Sequence, residues 1–241
     1  MAEKITGIVL NVKKYNEKNC IVTLYTRERG RIGCISPVGS GKASMARRAR
    51  LQPLSIISTD LNYKSTSELQ RLGQISSAEV WTSLYFDATK RAMTFFVAEF
   101  LYKLLNATMA DPKLFDFIVE SLRFLDMTDR GASDFHIPFL VSLLSFSGIQ
   151  PEVSGYKSGY VFDFAAGSFV PEFEAKGPGI NSEDSRHVAL ISRINFANIK
   201  KLRLNQMNRR KILYGLLNYY SYHFPGIGSM QTPEILKEIF Q

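Results

Sequence analysis

The chain has 241 residues, 45% of them apolar and 22% charged, with a formal net charge of +8. This composition excludes a largely disordered chain and suits one large or two modest domains, each able to bury a core. Two cysteines are too few for a disulfide framework, no run of about 18 apolar residues exists, and the N-terminus lacks a signal-peptide pattern, so a cytoplasmic protein without a membrane partner is expected.

From residue 5 the pattern is strand-like, with β-branched residues through Leu10 and a polar stretch from Lys13 to Asn19 that predicts a turn. Cys20 to Thr26 reads as a second strand, and Arg27-Glu28-Arg29-Gly30 as a tight hairpin turn. Arg31 to Val38, Leu51 to Tyr63 and Leu69 to Ala78 complete five strands within residues 1–80. Five short strands in so little chain predict a small barrel of the OB type, which removes exposed sheet edges by closure.

Between the third and fourth strands lies Gly39-Ser40-Gly41-Lys42-Ala43-Ser44-Met45-Ala46-Arg47-Arg48-Ala49-Arg50, which reads as a flexible loop carrying four positive charges and no acid. It is no phosphate loop, because that motif needs glycine where Ser36 stands and Ser or Thr where Ala43 stands. Residues 1–80 hold 13 basic against 6 acidic residues and residues 81–241 hold 17 against 16, so the positive excess is concentrated in the first third. Such a field attracts polyanions through counterion release, with nucleic acid as the leading partner. Lys42, Arg47, Arg48 and Arg50 are the candidate phosphate contacts, and Lys13, Lys14, Arg27, Arg29 and Arg31 extend the patch. Tyr15, Tyr25 and Tyr63 are candidate stacking rings that equally suit a core. A basic loop that only solvates the protein fits the same residues.

After residue 80 the apolar period becomes helical. One helix is expected to about Met109, a second from the Asp111-Pro112 start signal, and a third from Asp134 to Ser147. Residues 152–182 break this pattern and predict a small hairpin at Tyr160–Phe164 and Phe169-Val170, with a mobile loop from Glu174 to Asp184 and helix resuming near Glu183. Asn205 caps a last long helix, Gln206 to Phe224. Lys200, Lys201, Arg203, Arg209, Arg210 and Lys211 crowd its start, where positive charge opposes the helix dipole, and a second polyanion contact or a solvated face would explain them. The expected class is therefore α+β: an OB-type domain over 1–80 and a helical domain over 81–241 with the hairpin inserted.

The order of these features resembles a known family. Gly7-Ile8-Val9-Leu10, the run Ile21 to Gly30, the basic loop and Leu51-Gln52-Pro53 resemble the N-terminal barrel of the bacterial recombination mediator family RecO. Leu143 to Pro151 and Tyr219 to Gly226 resemble its helical domain. The resemblance implies a non-enzymatic DNA repair protein that binds single- and double-stranded DNA and anneals strands coated by single-strand-binding protein, whose C-terminal tail it binds. With RecR it helps load the RecA recombinase. Many members carry a four-cysteine zinc site after the Gly-Ile-Gln-Pro turn; residues 150–190 here contain no cysteine, so no cofactor is expected. An enzyme would need clustered carboxylates for metal, and Glu3, Glu17, Glu28, Asp60, Glu68 and Glu79 are scattered singly. An RNA-binding or adaptor protein without annealing activity fits the same barrel and loop.

Overall fold

The structure, a computed structural model, describes residues 2–106, 109–129, 131–198 and 205–239. It divides into two compact units, Met1–Thr128 with Gln231–Gln241, and Asp129–Met230.

In the first unit, β1 (Glu3–Lys14), β2 (Asn19–Thr26) and β3 (Gly30–Pro37) form an antiparallel meander, and Gly30 takes the left-handed φ of 67° that its tight turn requires. A short helix, α1 (Lys42–Arg50), follows, and β4 (Ile56–Leu61) returns to pair with β1. β4 is shorter than the strand expected over 51–63, because Leu54 is buried at a φ of 62° and its amide turns to Val9 O.

The expected fifth strand is split. β5 (Leu69–Arg71) adds parallel to β3 and β6 (Ile75–Ser77) adds antiparallel to β4, giving a six-stranded sheet in the order β5-β3-β2-β1-β4-β6. Leu72, Gly73 and Gln74 join opposite edges of the sheet, and four Cα steps reach at most about 14 Å. The sheet must therefore curl into a half-barrel. Gly73 sits where a Cβ would fall 2.6 Å from Asp60 O, so the crossing needs glycine. Ile5, Val9, Val22, Leu24, Cys34, Ile57 and Leu61 fill the interior.

Helices α2 (Ala88–Leu104) and α3 (Pro112–Met127) complete this unit with α7 (Thr232–Ile239). Asp87 and Asp111 cap the first two, and the Glu99 carboxylate on α2 accepts from the amides of Gln231 and Thr232 to cap the third. The buried Asp126 carboxylate accepts from the amides of Thr82, Ser83 and Leu84, tying the chain that leaves the sheet to the end of α3. Burial would raise its pKa, but these bonds bring it down to about 2.

The second unit is built on α4 (His136–Phe146), which is buried along most of its length, and α6 (Gln206–His223), whose buried Tyr220 donates to Leu140 O at 2.8 Å. The predicted hairpin is β7 (Tyr160–Asp163) and β8 (Ser168–Pro171), turned through Gly167. The stretch expected as a mobile loop holds β9 (Gly179–Ile180), which pairs with β7, and α5 (Ser182–Ala189) begins under the Asn181 cap where helix was expected to resume. Phe162 is the hub, with ring centroids of Phe169 at 5.3 Å, Tyr219 at 5.4 Å and Phe164 at 6.2 Å.

Candidate nucleic-acid interface

The basic stretch expected as a flexible loop is the helix α1. Its alanines, arginines, lysine and methionine are strong helix formers, and Arg47, Arg48 and Arg50 lie in the last turn, where the helix dipole favours cations. None of its residues is buried. A groove lies on each flank: one of about 410 Å³ lined by Lys14, Asn16, Glu17, Val38 and Arg48, the other of about 560 Å³ lined by Ala43, Arg50, Gln74, Ser76 and Ser77.

Strand register decides which of the predicted residues join this helix. Lys14 pairs with Cys20, which pairs with Ser36 one residue before β3 ends, so Lys13 and Lys14 share the α1 end of the half-barrel. Arg27, Arg29 and Arg31 lie at the other end of β3, roughly 23 Å away at about 3.3 Å per residue. That end is occupied by internal contacts. Arg27 makes two 3.0 Å bonds to Asp116, Arg29 pairs with Glu3 and stacks over Tyr63, and Arg31 donates to the carbonyls of Tyr102 and Leu105. At the α1 end, the side chains of Lys13, Lys14, Lys42 and Arg48 have no hydrogen-bond or ion-pair partner among the described residues. Arg47 does: it donates to Ser36 Oγ and to the carbonyls of Leu72 and Gly73.

Of the candidate rings, Tyr25 is fully buried, Tyr63 lies under Arg29, and the exposed Tyr15 follows Lys14 beside the first groove. Sequence reasoning missed the polar lining from Asn16, Gln74, Ser76 and Ser77. The positions of Gln74, Ser76 and Ser77 depend on the split at Gly73, whose signal is a glycine in the middle of a strand pattern, whereas Asn16 belongs to the β1–β2 turn.

In the second cluster, Arg209 pairs with Asp134 and Lys211 with Asp184, each at 2.6 Å. Arg210 is exposed and lines a groove of about 560 Å³ with Ile180, Met207, Tyr214 and Asn218. Lys200, Lys201 and Arg203 lie outside the described residues.

Two family models match the chain: Recombination protein O N terminal over residues 1–81 and Recombination protein O C terminal over 85–230. The chain belongs to the RecO family. It is 31% identical to the DNA repair protein RecO of Phocaeicola vulgatus over 100% of both chains. It is 33% identical to that of Porphyromonas gingivalis over 97% of both, and 29% identical to that of Bacteroides fragilis over 100% of both. This is a DNA repair and recombination family, and the N-terminal half-barrel is its OB-fold domain. The zinc site carried by many members does not fit this RecO chain. Residues 150–190 offer no thiolate, rings pack the β7–β8 hairpin, and among the described residues no three His, Cys, Asp or Glu side chains are grouped to hold a metal. No helix among the described residues is long and apolar enough to cross a membrane.

Proposed function

We propose that residues 1–80 form the nucleic-acid-binding domain of a cytoplasmic, non-enzymatic mediator that binds single- and double-stranded DNA and anneals complementary strands. The observation that carries this reading is the set of cations whose side chains have no hydrogen-bond or ion-pair partner among the described residues, Lys13, Lys14, Lys42 and Arg48, gathered with Arg50 at the α1 end of the half-barrel. Phosphates held along both flanks of α1 lose condensed counterions, and Tyr15 is placed to stack one base. Annealing needs no bond chemistry. A surface that lowers repulsion between two phosphate chains while leaving base edges free to pair is sufficient.

Family membership supplies the partners in this proposal: RecR, the C-terminal tail of single-strand-binding protein, and RecA reached indirectly. That tail is acidic and apolar, and the groove beside Arg210, lined by Ile180 and the exposed Met207 and with Asp184 neutralised by Lys211, has the matching chemistry. A salt series of single-stranded DNA binding tests the main reading, comparing the native chain with Lys14, Lys42, Arg48 and Arg50 changed to Ala. The log–log slope is expected to flatten by about 0.7 for each phosphate no longer neutralised. An unchanged slope would reject the interface. RNA displacing DNA at equal concentration from the same site would favour the RNA-binding alternative.

A further inference from the structure

Arg47 belongs by sequence to the phosphate-binding set and lines both grooves beside α1, yet its guanidinium donors are taken up by acceptors of the half-barrel. Nε donates to Ser36 Oγ at 2.8 Å, and Nη2 donates to Gly73 O at 2.9 Å and Leu72 O at 3.1 Å. Ser36 is fully buried on β3, whereas Leu72 and Gly73 form the crossing between the two edge strands. One guanidinium therefore ties α1 to both sides of the seam where the sheet curls closed. The guanidinium divides these bonds between Nε and Nη2 in a fixed plane, whereas a lysine ammonium carries all its donors on one nitrogen and cannot span the same acceptors.

Helix α1 needs such a tie. Nine residues are too few for a helix to be stable alone, its N-cap Gly41 offers no side-chain bond, and none of its residues is buried. Only Ser44 and Arg47 are even half-buried; the other helical residues are exposed. Leu51, buried just beyond the C-terminus, anchors one end and leaves the body of the helix to Arg47.

We infer that Arg47 is a positioning residue: a strut that keeps α1 folded against the half-barrel, so that Arg48, Arg50 and Lys42 stand ready for phosphate while Arg47 itself contacts none. The consequence for binding rests on the proposed interface at α1; the strut itself does not. The two parts fail separately in one set of measurements. Native chain, Arg47→Ala, Arg47→Lys and Ser36→Ala would be compared by amide hydrogen exchange and by DNA binding across a salt series. The Ser36 variant removes an acceptor without touching any charge and is mild enough to fold.

The expected result is exchange of the α1 amides about tenfold faster in all three variants. Weaker DNA binding with an unchanged salt slope should accompany it, and lysine should not rescue. Arg47→Ala leaving α1 exchange as in the native chain would overturn the strut. So would a slope flattened by about 0.7 and restored by lysine, the behaviour of a phosphate contact. Faster α1 exchange in a protein whose DNA affinity does not respond to any α1 variant would support the strut and reject the interface.

Discussion

The two basic clusters look alike in the sequence and differ in what the fold does with them. Around α6, Arg209 and Lys211 are each matched by an acid distant in sequence, Asp134 and Asp184, so their charge serves the cohesion of the second unit. Around α1, Lys13, Lys14, Lys42 and Arg48 have no such match among the described residues. On the proposed reading, charge density alone does not mark a binding surface. What matters is the charge left over after the acids brought near by folding have been counted.

The largest test of this contrast lies in the second unit. Phe162 is 1% exposed at the centre of the ring cluster. Phe162→Ala should cost about 3–5 kcal/mol, seen as loss of far-ultraviolet circular dichroism at lower denaturant. Fluorescence of Trp81, the only tryptophan and part of the first unit, should keep its midpoint. A common shift of both signals would break the separation.

Next is the binding side. With Lys14, Lys42, Arg48 and Arg50 changed to Ala, four phosphate contacts at about 0.7 each predict a fall near two orders of magnitude in single-strand affinity around 0.15 M salt. Arg209→Ala with Lys211→Ala should leave the slope unchanged in a titration read by fluorescence anisotropy. If it falls as far, the pairing argument is wrong.

Acid should separate the units as well. Burial, with Arg209 nearby, pushes the buried His136 down to about 4, below an unfolded value of about 6.5. The unfolded chain then takes the proton first, so the second unit should lose roughly 3 kcal/mol as pH falls from about 6.5 to 4. Asp126 has the same sign but a lower pH window. Its stabilising contribution is present above an unfolded value near 4 and is lost, by roughly 2 kcal/mol, as pH falls towards its folded value of about 2. Unfolding curves at pH 7, 5 and 3 should show the circular-dichroism midpoint falling before the Trp81 midpoint. The smallest expected effect is that of Arg27→Ala. Its exposed pair with Asp116 lies at the end of β3 away from α1, and DNA affinity should not change.

The strands, the helix caps at Asp111 and Asn205, and the β7–β8 hairpin follow local rules, which is why most of the fold was legible. Asn181 shows the limit of that reading, because it caps α5 inside a stretch read as a loop, and the short strand before it is defined only by its pairing with β7. The same holds for the candidate site. The charge of 39–50 is written in the sequence, yet its glycines and serines hid a helix that depends on Ser36 and on carbonyls more than twenty residues downstream. The partners of Arg27, Arg29 and Arg31 were equally out of reach, since register and tertiary packing set those pairs.

The ring cluster under the hairpin also determines how this part of the protein meets oxidants. A thiolate metal site is opened by oxidation of its ligands, whereas Phe162, Phe164 and Phe169 have no sulfur to oxidise. Both cysteines are buried in the other unit, and burial pushes the Cys34 thiol up to about 12, far from its reactive thiolate form. The hairpin therefore presents no thiolate ligand for an oxidant to attack.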